Sequence, residues 1–194
     1  MKTVFTETLS SKYSLTVLDF VFTHPVSRNS RLAELTGIDE ADLHRLIRAL
    51  AEYEREPDAV VATPADLTRV MFGDHPSVYG HVVEEDGRIV ALALWFLNYS
   101  TWTGRNGLYL EDLFVEPDRR GRGYGRDLLI TLARVAVERG YGRFEWSVLD
   151  WNTPALDFYR SLGAFGMEEW TVQRVDGPAL GGLAALRLRG EAAL

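Results

Sequence analysis

The sequence predicts an α/β protein with a mixed sheet and helices on both faces. Three observations predict it. Helical and strand-like apolar periods alternate along the chain. Glycine, proline and Asx residues punctuate the junctions between them. One junction, at residues 108–139, runs from an apolar strand through a glycine loop into a long helix. At 194 residues and 46% hydrophobic content the chain reads as one main domain able to bury its own core.

The elements follow in order. Residues 1–30 fit neither period and read as an N-terminal extension; residues 31–186 read as the folded domain and 187–194 as a tail. Arg31–Thr36 supplies a first strand. From Asp39 to Tyr53, Leu43, Leu46, Ile47, Leu50 and Ala51 fall at helical spacing. Thr63-Pro64-Ala65-Asp66 is an N-cap, a proline at N1 and an acidic N3, so a short helix starts there. Val78–Glu84 and Arg88–Tyr99 are strands joined by a turn at Glu85-Asp86-Gly87. Leu108–Val115 is another strand, and Gly123–Arg139 a helix stopped by Gly140. Arg143–Leu149 is a strand, Asn152–Leu162 a helix capped by Asn152 and ended by Gly163, and Met167–Val175 a last strand. Pro178–Leu186 reads as a short final helix.

Composition excludes several chemistries. Without cysteine there is no disulfide, thiolate metal site or cysteine nucleophile. His24, His44, His75 and His81 lack metal-ligand spacing, so no metal is expected. The net charge of −7 disfavours nucleic acid and favours cationic substrates. No apolar run reaches the ~20 residues of a membrane span. Leu15–Phe22 is broken by Asp19 and lacks a small-residue cleavage site, so no signal peptide and a cytoplasmic location are expected.

The glycine loop carries the most chemistry. Strand, glycine loop and helix start leave backbone N–H groups available to an anion, with the helix dipole behind them. Arg119, Arg120, Arg122 and Arg126 add positive charge. Gly125 is followed by Arg126, not by Lys-Ser/Thr, which excludes the Walker P-loop. One residue, Tyr124, separates the last two glycines, where the dinucleotide fingerprint needs two. The plain alternative is a glycine-rich turn on a solvated basic loop. The spacing that fits is Arg/Gln-x-x-Gly-x-Gly/Ala, read as Arg120-Gly121-Arg122-Gly123-Tyr124-Gly125. It resembles the pyrophosphate loop of the GNAT-type N-acetyltransferases, which hold acetyl-coenzyme A.

Other segments share this resemblance. They are residues 45–54, Gly73-Asp74-His75-Pro76, Leu108–Val115, and Asp150–Tyr159 with its Asn-x-x-Ala-x-x-Phe-Tyr pattern. Residues 31–186 as a whole resemble the spermidine/spermine (diamine) N-acetyltransferase branch. That implies a twisted, mostly antiparallel mixed sheet flanked by helices, and homodimers. The loop Trp102–Gly107 is about one residue longer than that branch has.

Acetylating an amine with a thioester requires deprotonating an ammonium of pKa near ~10.4, donating hydrogen bonds to an oxyanion, and protonating a thiolate. The resemblance implies Glu111 as base through water and Tyr159 as acid. It implies cofactor contacts at Phe114, Val115, Arg120, Gly121, Arg122, Gly123, Tyr124, Gly125, Arg126 and Asn152, the oxyanion donor being a backbone N–H near Phe114 or Val115. Tyr53, Glu54 and Asp112 match positions that approach the cationic amine, and Trp102 is expected to line that channel, where an indole face can stabilise a cation. Each also has a structural explanation: a strand carboxylate, a packing aromatic, an N-cap, a surface charge.

Two other function classes compete. Residues 31–50 fit a helix-turn-helix, with Ala33, Gly37, Ile38, Leu43 and Leu46 at its small, turn and core positions and Tyr13–Phe22 as a preceding helix. Its recognition helix would begin Asp39-Glu40-Ala41-Asp42, which repels DNA phosphates. A non-catalytic acetyl-coenzyme A sensor is the second; the presence of both Glu111 and Tyr159 argues against it.

Overall fold

The computed structural model describes residues 24–27, 30–34 and 40–189. The expected N-terminal extension and the helix over Tyr13–Phe22 lie outside them, except for the short strand β1 (His24–Ser27) and the start of the next. The chain divides into two compact units, one ending at Ser147 and one beginning at Val148.

The first unit is built on a six-stranded sheet in the order β1-β2-β3-β4-β5-β6. Its further strands are β2 (Ser30–Glu34), β3 (Tyr79–Glu85), β4 (Arg88–Ser100), β5 (Arg105–Val115) and β6 (Phe144–Trp146). Every pairing is antiparallel except β5 with β6, which is parallel. β2 pairs with β3 through Leu32↔Val83. The first helix of the helix-turn-helix reading is therefore a strand, and that reading is overturned.

Helices α1 (Glu40–Tyr53) and α2 (Pro64–Phe72) cover one face. Leu43, Leu46 and Met71 close over Val82, Leu92, Leu94 and Phe114 in one core cluster. Fully burying each such leucine is worth about 1.5–3 kcal/mol. α2 begins as its sequence says. The Thr63 hydroxyl accepts from Asp66 N–H, and the Asp66 carboxylate accepts from Thr63 N–H. This reciprocal cap satisfies two otherwise orphaned donors.

Helix α3 (Tyr124–Glu138) belongs to the opposite face, where residues of the other strand parity lie. Leu128, Leu129 and Leu132 bury there, and the Arg139 guanidinium just past its end sits 5.7 Å from the Trp95 ring centroid. β4 is buried on both faces through Trp95, as a central strand must be. Beyond it, β4 and β5 run on as a hairpin closed at Thr101–Gly104, with Ser100 opposite Arg105.

The second unit holds α4 (Thr153–Ser161) and α5 (Gly177–Ala184). The Asn152 side chain caps α4 by accepting from Ala155 N–H, and Gly163 lies at φ 91°, beyond the helix end. The strand expected over Met167–Val175 does not form. Among the described residues its unit offers two helices and no partner strand, and an extended segment without a ladder partner has no cross-strand bonds to hold it.

Candidate active site

Three structural devices converge on the C-terminal half of β5. The first is a β-bulge. Trp95 opposes Leu110 and Leu94 opposes Asp112, so Glu111 is an extra residue with no partner on β4. A bulge re-aims the side chain it carries and recurs beside active sites. Glu111 is exposed, while Asp112 and Phe114 turn to the α1 face, opposite Leu94 and Leu92.

The second device is the end of α1. Glu56 N–H reaches Ala51 C=O at 2.9 Å and Arg55 N–H reaches Glu52 C=O at 3.2 Å, with Arg55 left-handed at φ 69°. This pair of bonds is a Schellman stop, and it fixes Tyr53 and Glu54 where the helix ends. Burial raises the Glu54 carboxyl. Burial, then the charges of Glu111 and Glu54, push Asp112 up to about 6. Asp112 thus feels both neighbouring carboxylates, and among the described residues none of the three forms an ion pair. A nearby cation would favour the charged forms of such a cluster.

The third device is the loop after β5. β5 pairs with β6 only as far as Leu110↔Trp146, so residues 111–115 present an open strand edge. Such an edge can pair with an extended, amide-bearing ligand. A 3-10 turn (Pro117–Arg119) then leads to Gly121 at φ 76° and Gly123 at φ 90°. Both lie in the left-handed region that favours glycine. The first α3 bond runs from Asp127 N–H to Gly123 C=O, 3.0 Å, and no side chain caps the helix. The amides of Tyr124, Gly125 and Arg126 are thus left for an anion.

The four loop arginines do different jobs. Arg120 donates from Nε to Val115 C=O at 3.1 Å, and its guanidinium lies 4.6 Å from the Tyr53 ring centroid and 5.8 Å from that of Phe114. It thereby joins the loop to the end of α1. Arg122 donates to Glu85 Oε1 at 2.7 Å, and the buried Tyr124 donates its hydroxyl to the same oxygen at 3.0 Å. Arg119 Nε lies 2.5 Å from Glu85 Oε2, an ion pair without hydrogen-bond alignment. Arg126 is exposed and has no ion-pair partner among the described residues.

The structure therefore brings Tyr53, Glu54, Glu111, Asp112, Phe114, Val115 and Arg120 together beside Gly121–Arg126. It does not bring Trp102 to them. Trp102 lies 89% exposed in the β4–β5 turn, and the strand from Arg105 to Asp112 alone spans roughly 20 Å. Asn152 and Tyr159 belong to the second unit. There Asn152 caps α4, and the half-buried Tyr159 ring lies 5.4 Å from that of Phe158.

Sequence reasoning missed two acidic hubs. Glu85 reads only as a turn residue, yet it gathers Arg119, Arg122 and Tyr124. Glu116, buried just before the loop, receives Arg45 of α1 and, at 2.7 Å, Arg88 of β4. No local spacing signals either hub, because the partners come from distant elements.

An uncapped helix start behind left-handed glycines, beside an open strand edge, suits a phosphate-bearing ligand with an amide arm. Residues 42–164 match the model of the family described as "Acetyltransferase (GNAT) family", and the chain belongs to that family. It is 38% identical over 157 residues to a thialysine N-epsilon-acetyltransferase of Sus scrofa, covering 75% of this chain and 92% of that protein. It is 28% identical over 204 residues to an L-ornithine N5-acetyltransferase of Arabidopsis thaliana, covering 82% and 90%. Among solved structures, an integron cassette protein from the mobile metagenome of V. cholerae superposes with a TM-score of 0.68 at 25% identity, covering 82% of this chain and 100% of that one.

Proposed function

We propose that this acetyltransferase moves an acetyl group from acetyl-coenzyme A to a primary amine of a lysine-like amino acid or a small di- or polyamine. The observation that carries the acceptor class is the unpaired cluster of Glu54, Glu111 and Asp112. Only an acceptor with a second cationic group uses it fully. The names of the similar proteins, thialysine and ornithine acetyltransferases, support the same class.

The loop Arg120–Arg126 and the amides at the start of α3 would hold the pyrophosphate, and the open β5 edge at Phe114 and Val115 the amide arm. When bound, the coenzyme supplies the activated acetyl carbonyl. The residues then have separate tasks. Glu111 takes the ammonium proton, directly or through water. The neutral amine would form the C–N bond as the C–S bond breaks, with Tyr159 protonating the departing sulfur and regaining a proton as the new amide nitrogen sheds its second one. Asp112 and Glu54 hold the distal ammonium, with Tyr53 beside it.

The test measures coenzyme A release with putrescine, spermidine, lysine, thialysine and ornithine against butylamine. Diamine-like acceptors are expected to show kcat/KM at least ~10-fold above the monoamine. Equal turnover of butylamine overturns the acceptor assignment. Coenzyme A binding with no turnover of any amine favours the sensor. We also propose that the chain acts in the cytoplasm as a homodimer, as the resemblance implies; light scattering on the purified protein tests the assembly.

A further inference from the structure

The four arginines of the loop look at first like a pile of charge for the pyrophosphate. Two of them are already spent. Glu85 ends β3, its side chain only 10% exposed, and it sits between Arg119 and Arg122 while accepting from the Tyr124 hydroxyl. Burial works against its charge, but the Tyr124 hydrogen bond, Arg122 and Arg119 outweigh it and hold its carboxyl below the usual range. Its partners span the loop: one in the 3-10 turn before Gly121, one between Gly121 and Gly123, one at the first residue of α3. The two left-handed glycines therefore lie between points tied to one carboxylate. Neither would meet another residue closely through an added Cβ, so contacts at the glycines themselves do not hold the turn.

Resting on the acetyltransferase reading above, we propose that Glu85 is a positioning residue for the coenzyme A loop. It touches neither reacting atom. It neutralises Arg119 and Arg122 and fixes the turn, so that the amides of Tyr124, Gly125 and Arg126 and the Arg126 side chain meet the anion. A charge-assisted network of this kind rigidifies what it joins. Simple charge counting gives the opposite expectation: removing Glu85 frees two arginines and tightens anion binding.

The test compares wild type, Glu85→Gln and Glu85→Asp by calorimetric titration with coenzyme A, steady-state kinetics and hydrogen exchange of the ligand-free protein. Glu85→Gln is expected to weaken coenzyme A binding and raise its KM by about 10-fold, with kcat and the amine KM within ~2-fold of wild type. Peptides covering residues 119–126 should exchange faster in this variant while the β3–β4 core stays protected. Glu85→Asp, which keeps the charge, should remain within ~3-fold of wild type. Unchanged or tighter coenzyme A binding by a folded Glu85→Gln overturns the proposal. So does loss of kcat and both KM values together, or a Glu85→Asp variant as impaired as the glutamine. A wild type that binds no coenzyme A overturns the acetyltransferase reading with it, whereas normal wild-type binding beside an unaltered Glu85→Gln overturns this proposal alone.

Discussion

Asp112 is where burial and charge meet most directly. Its carboxyl, raised to about 6 by burial and by Glu111 and Glu54, is ionised at neutral pH and protonated just below it. For a diamine acceptor kcat/KM should therefore fall as pH drops through about 6. Asp112→Asn should remove that limb and raise the diamine KM by roughly 10-fold, with butylamine little affected. A limb that survives the substitution assigns the titration to another group. Tyr159→Phe is expected to lower turnover at least ~10-fold with coenzyme A affinity unchanged; unaltered turnover removes Tyr159 as the acid. Glu111→Gln should shift the pH–rate profile, and an unmoved profile removes the base.

Helix starts were legible in the sequence because capping is local. Thr63-Pro64-Ala65-Asp66 carries its whole reciprocal cap within four residues, and Asn152 caps α4 just as locally through a single bond from Ala155 N–H. Thr63→Ala should cost about 1 kcal/mol, a Tm loss of about 2–4 °C by calorimetry. Strand limits were less legible because a strand ends where its partner does. β5 starts at Arg105, earlier than its apolar run, because β4 continues to meet it. β6 keeps three residues of an expected seven for lack of further ladder, and Met167–Val175 keeps none. The same division holds at the site. The glycine spacing is written contiguously and was readable, as were the carboxylates through family resemblance. The engagement of Arg119 and Arg122 by Glu85 was not, because only folding brings the end of β3 under the loop.

Across the molecule, two buried groups set opposing pH dependences. His81 lies 4% exposed, accepting from Trp95 Nε1 at 3.3 Å, and burial followed by the Arg139 charge lowers its pKa to about 4. Between about 4 and 6.5 the unfolded chain binds a proton there that the folded chain refuses, so His81 makes stability fall as pH falls. Asp112 holds its proton in the folded state up to about 6 while the unfolded carboxyl has lost it, so Asp112 makes stability rise as pH falls over much the same window. The two slopes offset one another. Urea unfolding from pH 4 to 7 should show Asp112→Asn with a steeper acid loss than wild type; parallel curves would show that the folded-state shift of Asp112 is absent. The bulge on β5 has a consequence for the whole sheet as well. Trp95 already faces Leu110 and Leu94 already faces Asp112, so the ladder skips residue 111. A chain with Glu111 deleted would keep each remaining β4–β5 partner and leave each remaining side chain on its present side. Such a deletion is expected to melt within a few degrees of wild type and to lose acetyl transfer. As far as the architecture is concerned, residue 111 is surplus, and the proposed proton transfer is the employment that would account for it.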